Sequence, residues 1–157
     1  WATIPIVGKL IRKEKEMRKL TEAAEAAKLI RAELKKAFPN VKFSVRSNNY
    51  AGGDSVYVRW TDGPVRDAVA EITGKYQYGH FDGMIDLYEY SNNIEGLPQV
   101  KYVLESRDIS DEVYEATKAK IAEEFGIEDA TDENQWMAAF NDWSNHVVYR
   151  KLESRVR

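Results

Sequence analysis

The stretch Phe38-Pro39-Asn40-Val41-Lys42-Phe43-Ser44-Val45-Arg46-Ser47 decides the fold, because a helical pattern ends there and a strand pattern begins. Upstream, Leu20, Ala23, Ala24, Ala27, Ile30, Leu34, Ala37 and Phe38 recur at helical spacing. Thr21 is placed to cap the helix. Glu22 and Glu25 in the first turns, with Lys35 and Lys36 in the last, suit the macrodipole. Pro39 cannot continue the helix, so the predicted span is about 21–38. Downstream, Val41, Phe43 and Val45 alternate with Lys42, Ser44 and Arg46, the period of a half-buried strand.

Working outward, Asn48 through Asp54 form a loop rich in residues that tolerate positive φ, and Val56, Val58 and Trp60 alternate with Tyr57, Arg59 and Thr61. The pair of strands predicts a β-hairpin whose apolar side meets the helix, leaving Lys42, Arg46, Tyr57 and Arg59 outward together. Pro64 opens a second helix, predicted over about 64–74 with Val65, Ala68, Val69 and Ile72 as its stripe. An aromatic loop through Phe81 follows, and Ile85, Leu87 and Glu89 read as a third strand. The expected core over 21–90 is therefore α-β-β-α-β, an α+β fold whose antiparallel sheet is covered on one face by helices.

Residues 1–20 read as a basic arm or helix, and residues 91–157 as an extension packed on the core. That extension holds a strand with Val100, Tyr102 and Leu104. A helix capped by Ser110 follows, with Val113, Thr117, Ile121 and Phe125 inward. A last helix opens at Thr131 or Asp132 and carries the stripe Trp136, Phe140, Trp143, Val147; Lys151 onward reads as a polar tail.

A chain of 157 residues can bury a real core. Its net charge of −3 hides a polarity: residues 1–50 hold twelve Lys and Arg against five Asp and Glu, and residues 51–157 hold eleven against twenty-one. Such a split fits a basic arm seeking an acidic partner, internal pairing of the two halves, or an acidic half that mimics nucleic acid. The absence of cysteine excludes disulfides, thiolate zinc sites and a cysteine nucleophile, and suits a reducing cytosol. No apolar run approaches the roughly 18 residues of a membrane span. The chain begins with Trp1 rather than methionine, which fits a fragment or a processed product.

The runs Lys28-Leu29-Ile30-Arg31, Leu34 to Pro39, Val41 to Ser47, Val56 to Pro64 and Phe81 to Tyr90 stand in one order across residues about 26–90. In them the chain resembles the large polyvalent protein associated domain 29 family, found in proteins of phages, plasmids and related mobile elements. The resemblance implies a mobile-element origin, a shared α+β domain and the cytoplasm of a bacterial host, and it carries over no catalytic residue.

Three constellations carry chemistry or its imitation. Lys42, Arg46, Arg59 and Tyr57 on the hairpin, with Asn48, Asn49 and Tyr50 at its tip and Arg31 and Lys35 on the helix, could neutralise phosphates and stack on unpaired bases. The competing reading is a solvated sheet face. The loop with Tyr78, His80 and Asp82 could house a general base, but also reads as an ordinary turn with aromatic cover. The Trp136 stripe could dock a partner, but a helix stripe of this kind reads first as plain core. Two histidines and no cysteine offer few metal ligands, and no glycine-rich phosphate loop or nucleophile elbow is present. These observations argue against an enzyme and imply no cofactor. The expectation is a non-enzymatic macromolecular binding module with a protein partner, and counter-defence as one use. The alternative is a nucleic-acid-binding domain that takes DNA or RNA.

Overall fold

The computed structural model describes residues 20–156. The basic arm expected over residues 1–20 lies, except for Leu20, outside them. Helix α1 (Glu22–Ala37) starts where the capping chemistry places it, the Thr21 hydroxyl accepting from the Ala24 amide at 3.3 Å. Its buried stripe is Ala23, Ala26, Ala27, Ile30 and Leu34. Leu20 and Ala37, expected in that stripe, are exposed.

Strands β1 (Ser44–Tyr50) and β2 (Gly53–Thr61) form the expected antiparallel hairpin, paired Val45 to Val58 and Arg46 to Tyr57. Its turn is tighter than the sequence suggested, because Gly52 adopts φ +92°, where a side chain would be strained, and lets the strands run on to Tyr50 and Gly53. Helix α2 (Arg66–Thr73) follows, then a 3₁₀ turn (Gly74–Tyr76) that sinks Tyr76 into the core.

The third strand of this sheet is not the one the alternation at Ile85–Glu89 predicted. Those residues contribute only β4 (Leu87–Glu89), paired with β3 (His80–Asp82) in a separate small hairpin. The main sheet runs β1-β2-β5, and β5 (Tyr102–Asp108) lies parallel to β2. A parallel neighbour needs a crossover, which the segment containing α2 supplies. The sheet is therefore mixed rather than antiparallel. Alternation alone cannot say which segment docks: Ile85 and Leu87 find no core and stay exposed, whereas Val103 is buried. The phase of β5 is also shifted by one residue from the expected Tyr102 and Leu104. Its inward set is Val103, Glu105 and Arg107, opposite Val56, Val58 and Trp60.

The main core is built from α1, α2 and the inner face of this sheet, with Ile30, Leu34, Val45, Val56, Val58, Trp60 and Val69 at its centre. Phe38, Val41 and Phe43 pack on its margin.

The C-terminal unit holds α3 (Asp111–Phe125), α4 (Glu133–Phe140) and α5 (Val147–Arg155) around Trp136, Ile121, Val147, Val148 and Leu152. Helix α3 ends at Gly126, as its left-handed φ of +66° requires. Its inward side is Ile121 and Ala122; Phe125 is exposed and Val113 and Thr117 are half-buried. The single last helix expected from Thr131 or Asp132 through Val147 is two helices. Asn141 turns left-handed at φ +46° and ends α4, so the stripe breaks and Trp143 is left exposed. The supposed polar tail is the second half of α5, with Leu152 fully buried.

Arg107 joins the two units. Its buried guanidinium donates to the carbonyls of Asp62 and Gly63 on one side and of Glu153 and Val156 on the other, at 2.7–3.2 Å. The two sets of acceptors come from the two units, so this one cation ties α5 to the sheet.

Candidate binding surface

Among the described residues, helices cover only the inner side of the β1-β2-β5 sheet. Because side chains alternate, the register puts Ser44, Arg46, Asn48 and Tyr50 of β1 on the outer face. It puts Ser55, Tyr57 and Arg59 of β2 there too, with Tyr102, Leu104 and Ser106 of β5. Arg46 stands directly across from Tyr57, and Tyr57 from Leu104. Tyr50, Tyr57 and Leu104 are 43%, 37% and 45% exposed, high values for large, largely apolar side chains on a sheet face.

The face has a cationic end and an aromatic end. At the first, Arg59 pairs with Ser44 and lies diagonal to Arg46. Lys42 and Arg59 help line a depression of about 560 Å³, whose lining also includes Asp62 and Asp108. Among the described residues, none of Lys42, Arg46 and Arg59 has a carboxylate within ion-pair distance, although the chain as a whole is acidic. Arg31 reaches from α1 to the free edge of β1 and donates to the Val45 carbonyl at 2.8 Å. It thereby blunts the edge and stands beside Arg46; Lys35, one turn on, stays exposed.

At the other end, Tyr78 stacks on Tyr90 at 5.4 Å between ring centroids, and Tyr88 sets its edge against Tyr78, Tyr90 and Tyr102. The ammonium of Lys101 lies 5.2 Å from the Tyr88 ring and 5.8 Å from that of Tyr102, and donates to the Gly52 carbonyl. Tyr50 crosses Gly53 to the same place: a β-carbon at Gly53 would sit 2.9 Å from the Lys101 chain and 3.3 Å from the Tyr50 ring. Burial pushes the Tyr88 hydroxyl up to about 12, helped by its tyrosine neighbours. Burial likewise raises Tyr50, with Tyr102, Asp54 and Tyr57 adding, and raises Tyr78, with Asp54 and Tyr90 adding. In the floor between the two ends lies Ser55, 2% exposed, whose Oγ has no hydrogen-bond partner among the described residues.

The sequence-predicted residues therefore divide. Arg46, Tyr57, Arg59, Lys42 and Tyr50 share one surface, and Arg31 and Lys35 flank its edge. Asn49 faces the other way, with its amide toward the Thr21 hydroxyl at 3.4 Å. Tyr78 belongs to the tyrosine cluster. His80 sits on β3, between the Ser91 hydroxyl at 3.0 Å and the Glu89 carboxylate at 3.4 Å, and all three side chains stand exposed on the surface. Lys101, Tyr88, Tyr90, Tyr102 and Leu104 were missed. The spacing of Tyr88, Tyr90 and Tyr102 was visible, but only the fold brings them beside Tyr50. Among the described residues, no group of three His, Asp or Glu is placed to hold a metal ion.

A family model described as Large polyvalent protein associated domain 29 matches residues 21–125. The chain belongs to this family. The domain 29 match extends the resemblance beyond residues 26–90 to include β5, the strand that completes the sheet, and α3. The whole outer face falls within it, whereas α4 and α5 fall beyond it. Comparison with curated proteins and with solved structures finds no match. No helix of the described residues is long and apolar enough to cross a membrane.

Proposed function

We propose that this chain is a non-enzymatic binding module of a phage or plasmid polyvalent protein. It engages a macromolecule in the bacterial cytoplasm through the outer face of its sheet, with counter-defence among the uses such contact serves. The observation that supports this reading is the uncovered face itself. Among the described residues, helices bury one side of the sheet, while the other exposes Tyr57, Tyr50 and Leu104 beside cations that no carboxylate neutralises. A sheet face with no binding role is normally dressed with polar side chains of mixed sign.

Photo-crosslinking in living bacteria tests the surface. A benzophenone amino acid in place of Tyr57 should yield covalent adducts with macromolecules, and the same group in place of Lys120, exposed on α3, should not. The adducts from position 57 should vanish in Arg46→Glu/Arg59→Glu. No adducts from position 57, or the same adducts from position 120, would refute the reading.

A further inference from the structure

Resting on that reading, we infer that the outer face of the β1-β2-β5 sheet takes single-stranded nucleic acid, with unpaired bases on its tyrosines and phosphates on Arg46, Arg59 and Lys42. An unpaired nucleotide has two unlike parts: a flat, apolar π-face and an anionic phosphate. The face divides in the same way. Tyr57 is the exposed ring at its centre, Tyr50 and Tyr102 lie toward the hairpin tip, and Leu104 supplies apolar floor opposite Tyr57. Arg46 adjoins Tyr57 across the strands, so a base on that ring places its phosphate beside a guanidinium. Arg59 and Lys42 continue the cationic line along the same side, and Arg31 and Lys35 continue it around the β1 edge.

Other occupants use only half of this chemistry. A duplex hides its base faces in its own stack, leaving Tyr57 and Tyr50 nothing to stack on. An acidic peptide satisfies the cations and gives the rings no planar partner. Cations that lack carboxylate partners among the described residues, in a chain of net charge −3, supply the complementarity for a polyanion.

Fluorescence anisotropy on the intact chain tests this with labelled 20-mers of oligothymidylate and oligouridylate, and a mixed-sequence duplex of equal length. The single strands should bind at low salt and the duplex at least tenfold more weakly. The slope of log K against log salt should be about −2 for three phosphate contacts on a single strand. Tyr57→Ala should weaken oligothymidylate binding about tenfold, the lower part of the range for one lost base stack, and Tyr57→Phe should keep it. Arg46→Glu/Arg59→Glu should abolish it. Both positions are exposed, and an unchanged melting temperature verifies that the fold persists. No single-strand binding at low salt, equal or tighter duplex binding, or indifference to Tyr57→Ala would overturn the inference. Adducts from position 57 that are protein only, a second copy of this chain included, would also overturn it while leaving the binding surface of the proposed function standing.

Discussion

The sheet unit and the C-terminal helical unit solve the same problem of burial with opposite surfaces. The helical unit closes on itself around Trp136, whose ring is fully buried and whose indole nitrogen donates to the Ala130 carbonyl at 3.1 Å. Two of its surface cations are paired, Arg150 with Asp142 and Arg155 with Glu124. Among the described residues, the sheet unit closes one face around Trp60 and leaves the other without a helical cover, with Arg46 and Arg59 unpaired by acids. A three-helix cluster has one inside. A sheet has two sides, and one layer of helices covers only one of them. The open side is where this domain can meet something else.

The largest effects should come from breaking each core separately. Trp60→Ala and Trp136→Ala should each cost roughly 3–5 kcal/mol, because each truncates a buried ring. Their hydrogen-exchange patterns should differ. Trp136→Ala should expose amides of α3, α4 and α5 while β1 and β2 stay protected, and Trp60→Ala should expose the sheet. Uniform loss in both variants would mean that the two units unfold as one.

Arg107→Met comes next and attacks the link. It strands four carbonyls that now accept from the guanidinium, and should cost roughly 2–4 kcal/mol. The loss should appear as early melting of α5, with the Trp60 core intact by tryptophan fluorescence.

Alkaline titration sharpens the contrast from the aromatic end. The folded Tyr88 hydroxyl titrates at about 12, above its ordinary value of 10.0, so ionisation is disfavoured in the folded state. The stability this contributes is complete below pH 10 and is lost as pH rises from about 10 to about 12. Burial and the Glu33 carboxylate raise Tyr76 as well, so absorbance at 295 nm should show several late-titrating tyrosines, with one fewer in Tyr88→Phe.

Smallest of all, Ser55→Ala removes a buried hydroxyl without a partner and should leave thermal stability unchanged or raise it by up to about 1 kcal/mol. A loss of more than that would show that the hydroxyl supports the fold rather than lying free in the outer face.

Much of the sheet unit was legible because its patterns are strong and local. The Thr21 cap, the Ile30 and Leu34 stripe, the stop at Pro39 and the alternation through Trp60 each follow from neighbours a few residues away. The outward set Lys42, Arg46, Tyr57 and Arg59 followed from the same alternation. The C-terminal unit was read less well. The repeat from Trp136 to Val147 looked like one helix until Asn141 broke it, and Leu152 was a single apolar residue in a polar stretch. Short helices present too few turns for a stripe to declare its direction.

By itself the sequence determined the helix–hairpin core, the two faces of β1 and β2 and the family, since all three reside in local order and spacing. Only the tertiary structure decided which segment became the third strand. It chose Tyr102–Asp108 over Ile85–Glu89 because pairing partners are set by long-range burial, and it thereby brought Lys101, Tyr102 and Tyr88 to Tyr50. It also turned a charged residue, Arg107, into the buried tie between units. A cation enters a protein interior only where enough carbonyls converge on it, and that convergence is written in three dimensions.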